Sequence, residues 1–335
     1  MEYRNFFALL GGLALFLYGM HQMSEGLNAA AGEKMKQILE RLTKNRFLGV
    51  GVGAAVTAVI QSSSATTVMV VGFVNSGMMT LRQAVWIIMG ANIGTTITGQ
   101  LIALDAGAVA PLLAFFGVVL ILFAGKDRIR YIGGIVAGLG ILFIGMDMMG
   151  EAMQPLCDSQ VFLRAMTRFE HPVLGILAGA AFTAAIQSSS ASVGILQTLA
   201  QGGVVSFAGA VYVLFGQNIG TCITAVLAAI GTGRNAKRTT IIHLLFNLIG
   251  TVVFTVLCMT TPLVSLVAQL TPGRPAAQIA NMHTIFNIGT TLLLLPAGNL
   301  LAGMAEHLLP DKKSESLAAE QRKAACKKVE DVWNS

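Results

Sequence analysis

Apolar segments recur along nearly the whole of this chain and are parted only by short charged connections, so lipid is the solvent for most of the fold. In hydrocarbon every backbone polar group needs an internal partner, which restricts the spans to helices or to a closed barrel. The apolar runs are continuous and lack two-residue alternation, which excludes a transmembrane β-barrel. Composition agrees: 54% of the 335 residues are hydrophobic and 11% are charged, with a mean hydropathy of +0.71, outside the range of soluble domains. The expected fold class is all-α integral membrane. Residues 6 to 23 read as a true span rather than a signal peptide, since no small-residue cleavage site follows and the segment is echoed later in the chain. The formal charge of +6 sits in connections between apolar spans, which speaks for membrane topology and against nucleic acid as a partner. Cys157, Cys222, Cys258 and Cys326 form no CxxC pair and no metal-ligand cluster with histidine.

Within this apolar context one polar word is written twice. IQSSSATT occupies residues 60 to 67 and IQSSSASV residues 186 to 193, 126 positions later. The same shift aligns Leu48–Ala65 with Leu174–Ala191 at 13 of 18 identical positions, and the NIGT word at Asn92–Thr95 with that at Asn218–Thr221. This is an internal duplication. Repeat 1, residues 1–125, reads as a span (6–28), a charged amphipathic stretch (33–46), a hairpin (47–76), a broken helix carrying NIGT (81–104) and a span (109–124). Repeat 2, residues 126–262, reads as a span (131–152), a charged stretch (158–170), a hairpin (172–202), a broken helix (207–230) and a span (236–261). One extra span (275–305) and a charged cytoplasmic tail (306–335) follow; the tail is a solvated helix, a disordered end or the start of a further domain.

Length sets the geometry of the serine words. Residues 47–60 make a helix of about 21 Å and residues 65–76 one of about 18 Å, and neither crosses a hydrocarbon core of about 30 Å. The pair is expected to be re-entrant, entering and leaving on one side with the serines near mid-depth, where non-helical backbone is tolerated only against protein or a wet cavity. Each repeat then crosses three times and the second copy is inverted. Charge supports this: twelve basic residues fall on the side of residues 29–46, 77–82, 125–130 and 231–238, against Arg4, Arg164, Arg168 and Arg274 on the other. The richer side is cytoplasmic, which puts the N-terminus outside and the tail inside.

Inverted repeats whose broken helices meet at mid-membrane are the pattern of secondary transporters. Ser62, Ser63 and Ser64 can cap the second half of the first hairpin, and Ser188, Ser189 and Ser190 the second, with free N–H groups facing the tip. Breaks at Asn92–Thr95 and Asn218–Thr221 are expected to expose two more helix starts, with Thr98 and Thr224 one turn on. Four N-termini at about +0.5 each offer a field of roughly +2, close to what a phosphate dianion needs. The two motif regions, residues 47–104 and 172–230, contain no Asp or Glu. A cation must be held by neutral oxygens, from Gln61, Gln187, hydroxyls and freed carbonyls, which suits Na⁺ better than a proton. Bringing a dianion in against 100 mV costs about 4.6 kcal/mol. A coupling ion meets that need.

At these residues the chain resembles the type II sodium-phosphate cotransporters and their bacterial relatives, on the paired QSSS words, the NIGT words and the order of segments between them, over about residues 6 to 300. The resemblance implies a plasma (bacterial inner) membrane and alternating-access symport of inorganic phosphate, bound between the tips by Gln61 to Ser64, Gln187 to Ser190, Asn92 and Asn218. It implies Na⁺ sites built from Thr57, Gln61, Ser62, Thr95 and Thr98 and their mates Thr183, Gln187, Ser188, Thr221 and Thr224. No other cofactor is expected, and a monomer and a homodimer are both compatible with the pattern.

Other readings stay open. Ser and Thr in membrane helices can simply back-bond to carbonyls or let helices pack closely, although two symmetric copies speak against that. Glu25 and Glu151, symmetry mates at helix ends, read as solvated or ion-paired. His243–Asn247 and His283–Asn287 are repeated i, i+4 pairs that serve either interhelical hydrogen bonding or a pathway. Carriers of sulfate or a dicarboxylate, and a phosphate exporter, would use similar helix ends. A channel could also use re-entrant hairpins. An intramembrane serine hydrolase needs one activated serine with a histidine, and a nucleophile written in two inverted copies is hard to rationalise.

Overall fold

The structure, a computed structural model, describes residues 3–40, 45–104, 106–157, 159 and 166–311. Arg41, Lys44, Asp105, Arg164 and Cys326, most of the second charged stretch and the tail beyond Asp311 lie outside the described residues. Among those described the chain is helical, with no strand. Repeat 1 supplies α1 (Tyr3–Glu40), α2 (Arg46–Ile60), α3 (Ser63–Asn75), α4 (Leu81–Ile102) and α5 (Ala110–Phe123). Repeat 2 supplies α6 (Asp127–Cys157), α7 (Pro172–Ile186), α8 (Ser189–Gln201), α9 (Phe207–Gly220), α10 (Cys222–Ala228) and α11 (Arg234–Thr260). Then come α12 (Leu263–Leu270), α13 (Pro275–Leu294) and α14 (Gly298–Leu308). Among the described residues five stretches are long and apolar enough to cross a membrane: Tyr3–Ala31, Leu81–Ile102, Asp127–Pro155, Phe207–Ala228 and Arg234–Thr260.

Several expected boundaries are corrected. The first span ends at Ala31, close to the expected residue 28, but its helix does not end there: α1 continues to Glu40, carried by the helix-favouring Ala29, Ala30 and Ala31. The expected span at 109–124 is the apolar helix Gly107–Phe123, at the short end of the lengths that cross a bilayer. The final span at 275–305 is two helices, α13 and α14, bent by 83° at Pro296, which has no N–H to continue the ladder and clashes with the preceding turn.

The larger correction concerns the NIGT words. Helix α4 runs unbroken from Leu81 to Ile102, so the broken helix expected at 81–104 is continuous. In the second copy only Thr221 separates α9 from α10, and it keeps right-handed helical backbone at φ −57° and ψ −27°. The polar side chains are satisfied inside the helix: the Asn92 amide donates to the Ile88 carbonyl at 2.9 Å and Thr95 Oγ1 to Ala91 at 3.1 Å. Asn218 and Thr221 repeat this on Leu214 and Gln217, both at 2.9 Å. Such back-bonding leaves the ladder intact. The helix starts facing the site are therefore two, not four.

What the NIGT glycines provide is close approach. A Cβ on Gly90 would lie 2.0 Å from the Val50 carbonyl oxygen, and one on Gly94 2.5 Å from that of Ala54. The copy repeats this: Gly216 would meet Ile176 O at 1.9 Å and Gly220 Ala180 O at 2.4 Å. Each serine-bearing hairpin is thus pressed backbone to backbone, α2 on α4 and α7 on α9, by small residues of the kind that drive helix association in lipid. Helices α1 and α6 pack the same way, and reciprocally: a Cβ on Gly19 would sit 2.5 Å from Gly138 O, and one on Gly145 2.6 Å from Gly12 O. Gly138 and Gly145 are the 126-shifted mates of Gly12 and Gly19. In this contact residue i meets j and j meets i, as in an isologous interface. Buried aromatics complete the interior, with Phe215 and Phe286 stacked at 4.9 Å between ring centroids.

Gly90→Ala and Gly216→Ala should each cost about 1–3 kcal/mol through overpacking. Gly51→Ala, where a Cβ meets nothing within 4 Å, should be neutral or slightly stabilising. Thermal unfolding in detergent distinguishes the three; equal behaviour would show that the glycine seams carry no packing load.

Candidate functional site

Both serine words break their helices in one and the same way. Gln61 closes α2 in the left-handed region at φ 57°, ψ 25°, and Gln187 closes α7 at φ 59°, ψ 19°. They are the non-glycine residues with positive φ among those described. This helix-ending position ordinarily falls to Gly or Asn, so a glutamine held there twice is strain kept for its side chain. The N–H of Gln61 donates to Thr57 O and that of Gln187 to Thr183 O, both at 2.7 Å. Ser62 and Ser188 then turn to extended backbone and cap the next helices, their Oγ atoms accepting from Ala65 N at 3.1 Å and Ala191 N at 3.3 Å.

Ser63 and Ser189 are therefore the first residues of α3 and α8, and the two helices meet there. Their Oγ atoms are 3.4 Å apart, and both residues are buried. The flanking contacts are exchanged between repeats. Ser190 Oγ donates to Thr98 Oγ1 at 3.4 Å, and Thr224 Oγ1 donates to Ser64 Oγ at 3.2 Å. Under the 126-residue shift each of these pairs is the image of the other. Thr98 also donates to Gln61 Oε1 at 2.6 Å. Two α-helix N-termini thus face one point, supplying about +1 in partial charge, in a region whose sequence, residues 47–81, 83–104 and 172–233, holds no charged residue. Such a point favours an anion. The hydroxyls are in mutual contact, so an ion that binds between them must part the tips.

The expected residues divide accordingly. Gln61, Ser63, Ser64, Thr98, Ser189, Ser190 and Thr224 are brought together. Ser62 and Ser188 are engaged as caps, and Asn92, Thr95 and Thr221 by back-bonding in their own helices. Asn218 also turns its Oδ1 toward His283 Nε2 at 3.3 Å, linking α13 to the second repeat.

The copies differ in two respects. Gln61 is buried at 8% exposure and bonded to Thr98, whereas Gln187 is exposed. Thr57 Oγ1 donates to Thr66 Oγ1 at 3.0 Å, but the mates Thr183 and Ser192, both fully buried, have hydroxyls without a partner among the described residues. Gln217 donates from Nε2 to Ser192 O at 3.0 Å, and its buried Oε1 is unpartnered among the described residues. Gln197 Oε1 and His283 Nδ1 are likewise unpartnered, and each lies 3.9 Å from where a Cβ on Gly99 would stand. Buried oxygens of this kind call for an ion or a water. Sequence reasoning passed over Ser192, Gln197 and Gln217. The signal for Gln217 was present, since the copies read GANIGT and GQNIGT and differ at that position.

Comparison with known proteins matches the family model described as Na⁺/Pi-cotransporter over residues 15–151 and again over 144–271. Uncharacterized protein YqeW of Bacillus subtilis is 34% identical over 301 residues, 90% of this chain and 97% of that protein. Putative inorganic phosphate export protein YjbB of Salmonella typhimurium is 29% identical over 307 residues, 91% of this chain. The match spans only 56% of that protein. Sodium-dependent phosphate transport protein 2B of Homo sapiens is 40% identical over 98 residues, 29% of this chain and 14% of that protein. No solved structure matches the chain significantly.

Relieving the left-handed glutamines tests the strain. Gln187→Gly should raise stability by about 1 kcal/mol, while Gln61→Gly should gain less, because it also removes the acceptor of Thr98. Paired unfolding measurements in detergent check the order, and a loss at Gln187 would show that no strain is held there.

Proposed function

The chain belongs to the Na⁺/Pi-cotransporter family, a family of transporters and not of enzymes, and from that premise we propose that it is a sodium-coupled carrier of inorganic phosphate working by alternating access. The observation that carries this reading is the meeting of Ser63 and Ser189 at 3.4 Å. Two capped helix starts converge there in a charge-free apolar setting. Phosphate is bound between the parted tips by the hydroxyls of Ser63, Ser64, Ser189 and Ser190, the adjoining N–H groups and the two glutamine side chains, with Asn92 and Asn218 at the margin. The field of about +1 from two helices leaves a dianion undercompensated by roughly one charge. That deficit is a reason for Na⁺ to enter with it.

Na⁺ needs hard neutral oxygens. Thr183, Ser192 and Gln217, whose buried side-chain oxygens have no partner among the described residues, are candidate ligands in repeat 2. Thr57, Gln61, Ser62, Thr95 and Thr98, with Gln187, Ser188, Thr221 and Thr224, are the remaining candidates. In this reading the hairpins α2–α3 and α7–α8 are re-entrant from opposite sides and residues 1–125 and 126–262 are inverted repeats. The basic face is cytoplasmic, the N-terminus is outside, and the membrane is the bacterial inner membrane.

A second reading, export, is favoured by the match of 91% of this chain to a protein named for phosphate export. The site serves both directions, and the imposed gradients decide.

Uptake of labelled phosphate into vesicles holding the purified protein, under Na⁺, K⁺ or proton gradients in turn, is the test. Na⁺-driven accumulation is expected, with sulfate and dicarboxylates competing poorly. Ser63→Leu and Ser189→Leu should reduce it to the protein-free level while the protein still elutes as a folded species. Accumulation indifferent to Na⁺ removes the coupling, and wild-type uptake in both variants removes the site.

A further inference from the structure

The starts of α2 and α4 and the elbow between α13 and α14 surround a cleft of about 830 Å³, which the proposed topology puts on the basic, cytoplasmic face. Pro296, at the 83° bend between α13 and α14, lines it. Two guanidinium groups line the cleft, from Arg46 and Arg82, with the amides of Asn45 and Asn299 and the rings of Phe47 and Trp86. Among the described residues no carboxylate lines it and neither arginine has a carboxylate partner. The backbone there is already provided for: Asn45 Oδ1 accepts from Phe47 N at 2.9 Å, and Thr80 and Gln83 form a capping box. Recognition therefore falls to the side chains.

We propose that this cleft binds the phosphodiester headgroup of an anionic glycerophospholipid. Guanidinium forks match phosphate oxygens bidentately, and basic pockets between membrane helices on the cytoplasmic side are suited to acidic headgroups. The occupant is a lipid rather than the free ion for two reasons. The cavity is far larger than one phosphate, and its rim runs onto Phe47 and Leu48, 64% and 55% exposed, where acyl chains can lie against α2. Trp86 forms the inner wall, buried at 8% exposure. It is held by Gly298, where a Cβ would stand 2.1 Å from the ring. The site is separate from the serine tips, which α2 and α4 carry at or toward their other ends.

The chain has two tryptophans, Trp86 and Trp333, so the full chain with Trp333→Phe reports on the cleft alone. In phosphatidylcholine vesicles containing a fixed fraction of phosphatidylglycerol, acyl-chain bromines are placed on one lipid or the other. Brominated phosphatidylglycerol should quench Trp86 preferentially, with an apparent affinity roughly tenfold above that of brominated phosphatidylcholine. Arg46→Gln/Arg82→Gln should abolish the preference, and Arg46→Lys/Arg82→Lys should keep most of it. Equal quenching by the two lipids overturns the proposal, as does a preference that survives in the glutamine variant. If inorganic phosphate, in vesicles free of phosphatidylglycerol, shifts Trp86 emission in the wild type and not in the glutamine variant, and no lipid preference is seen, the cleft is a free-phosphate site and the lipid assignment falls.

Discussion

A helix interrupted inside an apolar medium exposes backbone groups that only protein can satisfy, and the structure is organised around two such interruptions. At each, the glutamine N–H bonds back to a threonine carbonyl and the following serine caps the next helix. What is left over is the set of N–H groups at the first turns of α3 and α8. They are brought to one another rather than to lipid, with Ser63 and Ser189 in contact. The polar requirement of the fold and the anion-favouring character of the site are thus the same requirement.

The glycine seams make this arrangement attainable. A helix pair of ordinary side chains would stand too far apart to bury two short, broken helices under α4 and α9. With Gly53, Gly90 and Gly94, and their mates Gly179, Gly216 and Gly220, the backbones touch and the tips are carried inward as rigid units. The NIGT words therefore act twice, through their glycines on packing and through α4 and α9–α10 continuing to Thr98 and Thr224, which reach the opposite repeat's serines.

That division explains what could be read from the sequence. Polar residues stranded in apolar runs announce a break when no neighbour in the same helix can satisfy them, and the QSSS words, with short helices on either side, were of this kind. Asn92 and Thr95 look equally stranded in one dimension. Whether they break the helix or bond back to the previous turn depends on side-chain geometry that spacing does not encode, and here they bond back. Pro296 and the alanines after Leu27 carried local signals outweighed by the hydropathy of the wider segment. The exchange of contacts between Ser64, Thr98, Ser190 and Thr224 depends on how two distant segments dock, which the duplication suggests and cannot specify.

The departures from symmetry bear on how such a site could work. Exchanging the conformations of two repeats converts a state open to one face into a state open to the other, and this needs only backbone and residues that the repeats share. Gln61, buried and tied to Thr98, and Gln187, exposed, are the same residue in two environments. The unpartnered buried oxygens are not shared in this way. Thr57 donates to Thr66 and Thr66 to Ser62 O, while the hydroxyls of Thr183 and Ser192 have no partner among the described residues and Gln217, which replaces Ala91, donates to Ser192 O. In the proposed carrier a cation held by Thr183 on α7, Ser192 on α8 and Gln217 on α9 would have all its ligands in repeat 2, whereas an anion between Ser63 and Ser189 would draw on both repeats.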